Sequence, residues 1–404
     1  MLKKIAFIRT EPWPHANVRM VQVLKDAFPG HEIMVLDVYD RIKARADIVA
    51  QNSLEVLKLY GREILARKKR FKRSFWRTPY IFYQQRKLIR EVLGKEPYLF
   101  TFQMQSLFDA SIEGIEHFIY TDHSHLANLS YPEFDRSGLF RQEWIDLERT
   151  IYQNAARVFV RSTNILTSVM NDYGIPPAKV VCAYAGSNAV EQDGQADPAR
   201  YQKKHILFVG IDWERKGGLD LVKAFELVRR SHPDATLTIV GSSPTVNIPN
   251  CRIIGRVPVD KVGAYFQEAS IFCLPTRLEP FGIVFIEAMS SRLPVIASNV
   301  GAIPDFVQDG TTGFLTHPGD VQGIANALNA LLSDPQKCQQ FGEGGYKLAQ
   351  TRYSWNAVGA VVKKHILEVI HGDTPANSQL PTQPGEDGSL HQGIVASNPD
   401  TTMA

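Results

Sequence analysis

Short apolar runs alternate with helical patterns throughout the C-terminal half of the chain. The runs are rich in β-branched residues and are predicted as strands at 205–210, 235–241, 251–255, 271–274 and 294–297. The helical patterns predict helices near 219–230, 262–269, 283–291, 321–332 and 336–350. Continuous apolar strands separated by helices indicate a parallel sheet that is covered on both faces. This half is therefore predicted to be a doubly wound α/β domain.

The N-terminal half repeats this alternation less clearly. Its predicted buried strands lie at 4–8, 32–36, 98–101, 117–120 and 157–160, and a long helical region is predicted over 54–93. A polar stretch at 192–204 is predicted to be a linker. We therefore expect an N-terminal domain over 1–195 and a C-terminal domain over 200–370, which face a common cleft at the carboxyl ends of their sheets. Residues 371–404 contain no Phe, Tyr or Trp and are predicted to be a disordered tail.

The strand predicted at 271–274 is followed by a turn and then by a helix. Glu279 and Gly282 lie in the turn, and Glu287 lies on the helix. A helix N-terminus in this position aims backbone N–H groups at an anion, and Gly282 has no Cβ to obstruct a ligand. The two acids are therefore candidates for ligand contacts in the cleft. The alternative interpretation is a first-turn acid that favours the helix dipole and a solvated helix residue.

A loop with two cations follows the strand predicted at 205–210. Arg215 and Lys216 lie in this loop between Gly210 and Gly217. Such a pair suits a diphosphate, because arginine offers a planar fork of donors and lysine a point charge. The alternative interpretation is a surface turn whose charges are solvated.

The segment that begins at Glu279 resembles the signature of the family 4 retaining glycosyltransferases, which have the GT-B fold. The resemblance rests on Glu-Pro-Phe-Gly at 279–282, Glu-Ala-Met at 287–289, Pro-Val-Ile-Ala-Ser at 294–298 and Gly-Ala-Ile-Pro at 301–304, and it extends over about 205–352. It implies two Rossmann-like doubly wound domains that face an interdomain cleft. It also implies retaining transfer of a sugar from a nucleoside-diphosphate sugar to an acceptor hydroxyl. UDP is expected from its frequency in the family, and the acceptor is expected to be a glycan, a lipid-linked molecule or a small molecule.

The resemblance also implies roles for single residues. Glu279 is expected to contact the transferred sugar, and Glu287 the ribose hydroxyls. Lys216 is expected to stabilise the departing phosphate. The family usually has an arginine directly after the strand glycine, where this chain has Ile211. Whether Arg215 replaces that arginine is left open by the sequence. The remaining donor-binding positions are expected at Gly210 and at the backbone amides of Phe281, Gly282 and Ile283.

A polar cluster follows the strand predicted at 117–120. The family carries a histidine near this point that contacts the donor sugar, and His123 is expected to fill this role, with Asp122 and His125 as alternatives. A hydrogen-bonded cluster at the end of a strand is the structural alternative. No carboxylate or thiolate set with metal-ligand spacing accompanies the histidines, and the family does not resemble the metal-dependent transferases. We therefore expect no metal and no cofactor besides the nucleotide-sugar, which is a co-substrate.

The loop after the first strand differs from the family, in which many members have a glycine-rich turn there. This chain has Arg9-Thr-Glu-Pro-Trp-Pro-His-Ala-Asn17 instead. The side of the cleft that binds the acceptor is therefore the least transferable part of the resemblance. His15, Asn17 and Arg19 are candidates for acceptor contacts.

Charge and cysteine content narrow the functional classes. The chain has 45 basic and 42 acidic residues, for a formal net charge of +3, and this balance gives no reason to propose nucleic acid as a partner. Its four cysteines form no C-x-x-C pair, which favours a reduced, cytoplasmic protein. The first apolar run, at 5–8, is too short for a signal peptide or a membrane span.

One local exception to the charge balance is the segment from Arg67 to Arg77, which carries seven cations and no acid. Phe71, Phe75 and Trp76 interrupt the cations. This pattern is typical of a peripheral contact with an anionic membrane surface at the inner face of the membrane. Nucleic acid and a simple solvated helix face are the alternatives.

Two rival functions stay open at the level of the sequence. The first is another GT-B enzyme, such as a nucleotide-sugar epimerase; a phosphorylase would need a lysine site for pyridoxal phosphate, which is not evident. The second is a sugar-nucleotide-binding protein without turnover. Intact Glu279, Glu287 and Lys216 argue against the second rival, whereas Ile211 leaves it open.

Overall fold

The computed structural model describes residues 4–12, 16–187 and 197–372. Within these ranges the strands form two six-stranded sheets, one from each half of the chain, and all adjacent strands in both sheets are parallel. His15, residues 192–196 of the predicted linker and the predicted tail from residue 373 onward lie outside the described residues.

The N-terminal sheet has the strand order β2-β1-β3-β4-β5-β6. Its strands are β1 (Lys4–Arg9), β2 (Glu32–Asp37), β3 (Thr101–Met104), β4 (His117–Thr121), β5 (Arg157–Val160) and β6 (Val180–Cys182). Its helices are α1 (Ala16–Ala27), α2 (Val38–Lys43), α3 (Ala46–Leu65), α4 (Phe71–Phe75), α5 (Pro79–Leu93), α6 (Gln142–Asn154) and α7 (Thr163–Asn171). Apolar clusters cover both faces of this sheet.

The C-terminal sheet has the order β12-β11-β10-β7-β8-β9, which is the Rossmann order 3-2-1-4-5-6 read from the other edge. Its strands are β7 (His205–Val209), β8 (Thr236–Val240), β9 (Cys251–Gly255), β10 (Ile271–Leu274), β11 (Val295–Ser298) and β12 (Gly313–Thr316). The helices of this half are α8 (Gly218–Ser231), α9 (Val259–Glu268), α10 (Ile283–Ser290), α11 (Val321–Leu332), α12 (Pro335–Arg352) and α13 (Trp355–His371). The predicted fold class, two doubly wound α/β sheets, is confirmed.

The strand order determines where a ligand site forms. In a doubly wound sheet the connections leave in opposite directions on either side of one strand pair, and this opens a crevice at the carboxyl ends of that pair. In the C-terminal sheet the pair is β7 and β10, and in the N-terminal sheet it is β1 and β3. The turns after β7 and β10 carry the residues that the sequence singles out, so the topology brings them together.

Several predicted elements differ from the structure. The long helical region predicted over 54–93 is three helices, because Arg67 takes a left-handed φ of 57° and because Thr78 and Pro79 start a new helix, with the Thr78 hydroxyl accepting the N–H of Ile81. The strand predicted at 98–101 begins only at Thr101. Gln103 interrupts the apolar pattern of this strand. Its buried amide donates a hydrogen bond to Phe108 O and accepts one from the N–H of Ala110, which fixes the following loop. Strands β6 and β12 were not predicted.

Helix α13 departs from the predicted domain division. Val358, Val362 and Ile366 follow one another at four-residue spacing and pack against Val23 and Leu24 of α1, in the N-terminal core. The last helix therefore crosses back to the first domain, although the sequence pattern places residues up to 370 in the second. This crossing ties the two halves together beside the segment that leads into the linker, where the N–H of Ser187 bonds Tyr353 O at 2.8 Å.

Candidate active site

Two glycine turns meet at the carboxyl ends of β7 and β10. Gly217 begins α8 with a φ of 71°, and Gly282 begins α10 with a φ of 91°. Both conformations favour glycine, and a Cβ on Gly217 would lie 1.8 Å from the carbonyl oxygen of Pro275. Neither helix has a side-chain cap. In α8 the N–H of Gly218 already bonds Trp213 O, and in α10 the N–H of Phe285 bonds Gly282 O, so only part of each uncapped N-terminus can serve a ligand.

Glu279 is the centre of a buried charge cluster between these turns. Lys216 Nζ donates to Glu279 Oε2, and only 8% of Lys216 and 7% of Glu279 are exposed. Arg215 Nη1 lies 3.8 Å from the same carboxylate oxygen. The Arg215 guanidinium is held in place by a 2.7 Å bond to Leu278 O and a 3.1 Å bond to Asp212 Oδ2. Two cations that the sequence separates from Glu279 by about 60 positions thus surround it.

This geometry decides between the interpretations of these residues. Glu279 is not a solvated first-turn acid, because it is buried in an ion pair ahead of Gly282, where α10 starts. Lys216 is also buried and is therefore not a solvated surface charge. About one third of the Arg215 side chain is exposed, at the cleft. Ile211, which replaces the family's arginine, is 69% exposed. Arg215 therefore supplies a guanidinium at this edge, which Ile211 does not.

Glu287 lies one helical turn beyond Ile283, on the same less-buried face of α10. Burial raises the pKa of Glu287 from its usual value of 4.5 to about 7. No cation of the described chain lies within ion-pair distance of its carboxyl group to offset this desolvation. Such a carboxyl group is suited to accept hydrogen bonds from neutral hydroxyls, as ribose would provide.

The raised pKa of Glu287 has a measurable consequence for stability. Because the folded protein binds this proton more tightly than the unfolded chain, stability is lost as the pH rises from about 4.5 to about 7. Glu287→Gln removes the buried charge. We expect this variant to melt at a higher temperature than the parent at pH 8 and at nearly the same temperature at pH 4.5. A difference in melting temperature that does not change with pH would contradict the assignment.

The remaining predicted donor-binding residues lie around the same turns. Gly210 directly follows β7, and its carbonyl oxygen accepts a hydrogen bond from the hydroxyl of Ser242. The side chain of Phe281 is buried against Phe306, which leaves its backbone beside Gly282 and Ile283 at the start of α10. The resemblance assigns ligand contacts only to backbone groups here, and the buried side chain of Phe281 is compatible with that role.

The histidine cluster follows β4 on the opposite wall. His125 is buried, and its hydrogen bonds hold it within the protein. Its Nε2 accepts a hydrogen bond from the N–H of Phe140 at 2.8 Å, and its backbone N–H donates to the carboxylate of Glu148. Asp122 pairs with Arg161 at 3.3 Å. His123 accepts from Asn128 through Nε2, and its Nδ1 has no partner within the described structure. Of the three candidates, His123 has a ring nitrogen free for a ligand.

Burial determines the charge of His123 as well. Desolvation, with smaller contributions from Arg77 and Arg73, lowers the pKa of His123 to about 4, against the opposing effect of Asp122. The ring is therefore neutral near pH 7. Because Nε2 accepts the hydrogen bond from Asn128, the ring proton lies on Nδ1, and this N–H can donate a hydrogen bond to a hydroxyl group.

The candidates for acceptor contacts are dispersed. Asn17 is buried and donates to Glu11 O, so it holds the loop after β1. Arg19 is exposed and lines a groove between α1 and α13. His15 lies outside the described residues. The structure does not bring the two described candidates to one point.

Three residues that sequence reasoning missed lie between the two halves. A cavity of about 540 Å³ is lined by residues of both, among them Tyr131, Glu133, Arg215 and Arg277. Arg277 bridges the halves, with Nη1 2.6 Å from Glu133 and Nη2 2.8 Å from Asp220. Tyr131 is buried, its hydroxyl has no partner among the described residues, and a Cβ on Gly301 would lie 2.8 Å from it. No local pattern in the sequence marks these positions.

The basic segment is only partly at the surface. Trp76 is buried and stacks on Tyr39 with ring centroids 3.6 Å apart, and Arg77 lies over Phe140. Phe71 is exposed, together with Arg67, Lys68, Arg70, Lys72 and Arg73. The expectation that Trp76 enters a membrane interface is therefore wrong, because the core of the N-terminal domain takes up this ring.

The described residues show neither a metal-binding group nor a membrane-spanning helix. Across the described residues, no three His, Cys, Asp or Glu side chains form a group that could hold a metal ion, and the expected absence of a metal stays a prediction. None of the helices in the described ranges combines the length and apolar character needed to cross a bilayer.

Comparison with known proteins shows what the C-terminal half of the chain is similar to. Residues 191–348 match the model described as glycosyl transferases group 1. The chain is 26% identical over 256 residues to a glycogen synthase of Mycobacterium tuberculosis, covering 61% of this chain and 62% of that protein. It is 31% identical over 176 residues to a GDP-mannose-dependent alpha-(1-6)-phosphatidylinositol monomannoside mannosyltransferase of Mycolicibacterium smegmatis, covering 39% of this chain and 45% of that protein. The chain thus spans less than two thirds of the length of either relative.

A solved structure extends the likeness to both halves. The sucrose-phosphate synthase from Thermosynechococcus elongatus superposes with a TM-score of 0.62 at 17% identity, over 92% of this chain and all of that one. At this identity the likeness concerns the fold. Residues 191–348 thus resemble the glycosyl transferases group 1 family, and the two facing sheets have the GT-B architecture.

Proposed function

We propose that the chain is a retaining glycosyltransferase that moves a sugar from a nucleoside-diphosphate sugar to an acceptor hydroxyl. One observation carries the proposal: the buried carboxylate of Glu279 is held by Lys216 and Arg215 between two uncapped helix N-termini. A diphosphate and a sugar differ in charge, and a site for both needs cations and an acid side by side. This cluster supplies both at the switch point of the C-terminal sheet.

The proposed reaction breaks the anomeric C–O bond and leaves negative charge on the departing diphosphate. Lys216, Arg215 and the N-termini of α8 and α10 stabilise that charge. Glu279 stabilises the positive charge that builds on the sugar ring, since the transition state of glycosyl transfer has oxocarbenium character. The leaving phosphate takes the proton of the acceptor hydroxyl, as is often proposed for the family.

The other residues bind and orient the donor in this proposal. Glu287 accepts the ribose hydroxyls, and the amides of Phe281, Gly282 and Ile283 hold sugar hydroxyls and the diphosphate. His123 donates Nδ1–H to the sugar from the N-terminal wall. Closure of the cleft excludes water, which would otherwise accept the sugar.

Ligand-induced stabilisation tests the donor site directly. We expect UDP, GDP or ADP, or one of their sugars, to raise the melting temperature of the full chain, because a ligand that binds the folded state alone stabilises it. One relative is named for its use of GDP-mannose, so GDP belongs in the screen beside UDP. Lys216→Gln should lose most of this shift. No shift with any nucleotide in the parent protein would sink the proposal.

Product analysis separates the rival functions once a donor is found. Transfer requires an acceptor, whereas an epimerase converts the donor without one. A binding protein shows the thermal shift but no product under either condition. The anomeric configuration of the product, read by NMR, tests retention.

A peripheral membrane contact is a second, finer proposal. Leu54, Leu57 and Leu65 share one exposed face of α3, with exposures of 61%, 55% and 86%, and Phe71 and the exposed cations follow directly. The exposed stripe of α3 replaces Trp76 as the apolar component of the proposed contact. Leu65→Asp should reduce cosedimentation with vesicles that contain phosphatidylglycerol. Equal binding to neutral phosphatidylcholine vesicles would remove the idea.

A further inference from the structure

Arg77 is a largely buried guanidinium without a carboxylate partner in the described part of the chain. Its Cζ lies 4.9 Å from the ring centroid of Phe140 and 5.9 Å from that of Trp144. Nη1 donates to Arg73 O at 2.9 Å, whereas Nε is buried and has no partner. Arginine does not give up its proton in proteins, so the charge stays. An unpaired buried charge is costly, and this site would be stabilised by an anion.

The groups around Arg77 add donors and no free acid. Arg73 is exposed beside it, and both arginines are close enough to His123 to lower the pKa of that ring. The Nδ1 atom of His123 is a second buried polar atom without a partner. Burial lowers the pKa of Arg77, and Tyr39 and then Glu148 oppose this effect. The carboxylate of Glu148 is already bound by Ser106, Tyr152, Tyr173 and the N–H of His125.

The position of this cluster relates it to the acceptor. His123 follows β4, at the carboxyl edge of the N-terminal sheet, and this edge lines the cleft. The cations that would hold the donor diphosphate, Lys216 and Arg215, belong to the other sheet. Two separate groups of cations therefore exist, one on each wall. Arg77 and Arg73, the cations of the second group, have no role in donor binding, whereas the neutral ring of His123 is assigned to the donor sugar.

We propose that Arg77 and Arg73 form an anion subsite on the N-terminal wall near His123, and that the acceptor carries a phosphate group that binds there. The proposal rests on the proposed function, because it names the substrate class of the same cleft. Two guanidinium groups match a phosphate better than a neutral sugar, since arginine binds phosphate oxygens through paired N–H donors. The phosphate belongs either to a soluble phosphate ester or to a lipid headgroup.

Calorimetric titration of the full chain with glycerol 3-phosphate tests the subsite. Arg77→Met keeps the aliphatic stem over Phe140 and removes the charge, and we expect it to weaken binding about tenfold or more, as for the loss of a charged hydrogen bond. Arg73→Gln is exposed and cannot disturb the core, and it should weaken binding severalfold. Lys87→Gln removes one exposed charge elsewhere on the N-terminal domain and should bind like the parent protein. Equal affinities in the parent, Arg77→Met and Arg73→Gln would overturn the proposal.

Binding to lipid vesicles and binding of the free ester show whether the phosphate belongs to a lipid or to a soluble molecule. Variants of Lys216 and Arg77 show whether the donor site and the subsite are distinct. Binding to phosphatidic acid vesicles that depends on Arg77, without binding of free glycerol 3-phosphate, identifies a lipid acceptor; Arg77-dependent binding of the free ester identifies a soluble one. Lys216→Gln should weaken UDP and leave glycerol 3-phosphate unchanged, and Arg77→Met should do the reverse. Absence of UDP binding in the parent protein would contradict the donor assignment, whereas glycerol 3-phosphate binding that depends on Lys216 instead of Arg77 would contradict the subsite.

Discussion

Glu279→Gln is expected to lower kcat for sugar transfer about 100-fold while leaving nucleotide binding intact. The amide keeps the shape of the side chain and can still accept from Lys216, but it no longer offers a negative charge to the sugar. Removing that charge from beside the diphosphate should leave the Kd of the nucleoside diphosphate unchanged or lower it. The measurement is a comparison of kcat with the nucleotide Kd from calorimetry.

The separation of the two quantities identifies the role. A merely structural role for Glu279 predicts that transfer and nucleotide binding fall together, in step with a lower melting temperature. Glu268→Gln is the matched control, since this glutamate is exposed on α9 in the same domain, and it should leave both quantities unchanged. Full transfer activity in Glu279→Gln would show that the carboxylate takes no part in the chemistry.

Lys216→Met is expected to lower the free energy of unfolding by about 3 kcal/mol, because it leaves the carboxylate of Glu279 buried without its closest partner. Arg215, whose Nη1 lies 3.8 Å from Glu279 Oε2, still offsets part of the buried negative charge. The loss of stability is therefore expected near the low end of the range for a broken buried ion pair. The double variant Lys216→Met with Glu279→Gln should recover most of the loss, since neither charge then remains. Urea denaturation at neutral pH measures all three proteins.

An exposed ion pair provides the control for this cycle. Lys261 lies 3.6 Å from Asp260, and both side chains are 72% exposed. Lys261→Met should change stability by less than about 0.5 kcal/mol. If the double variant is as unstable as Lys216→Met alone, the pair is not coupled and the charge cluster does not exist as described.

The elements of the C-terminal half were largely predictable because their signals are local. The helices at 283–290 and 321–332 and the strand at 271–274 agree with the apolar pattern to within one residue. The strand is buried throughout and each helix buries half of its residues, so the period of the apolar positions follows the backbone directly. β12 was missed because two of its four residues are glycine and threonine, which leave little apolar pattern.

The N-terminal half was harder for a physical reason. Polar residues such as Gln103 and Thr101 lie inside a buried strand. Gln103 forms a hydrogen bond with the backbone of the following loop, and Thr101 forms one with the ring of His117. The pattern of the basic segment was also misleading, because Trp76 and Arg77 turn inward against Tyr39 and Phe140. A sequence shows that cations and aromatic rings alternate, but not which of them a neighbouring helix will cover.

By itself, the sequence determined that the chain forms two doubly wound α/β sheets and that a turn with Glu279 and Gly282 precedes a helix with Glu287, because strand and helix periods and glycine turns are encoded locally. Only the tertiary structure decided that Lys216 and Arg215 surround Glu279, since that contact needs β7 and β10 to be neighbours in the sheet. The same holds for Tyr131 beside Gly301, for α13 on the N-terminal core and for Arg77 beside His123. Contacts between residues far apart in the chain depend on the order in which strands assemble, and that order is a property of the whole fold.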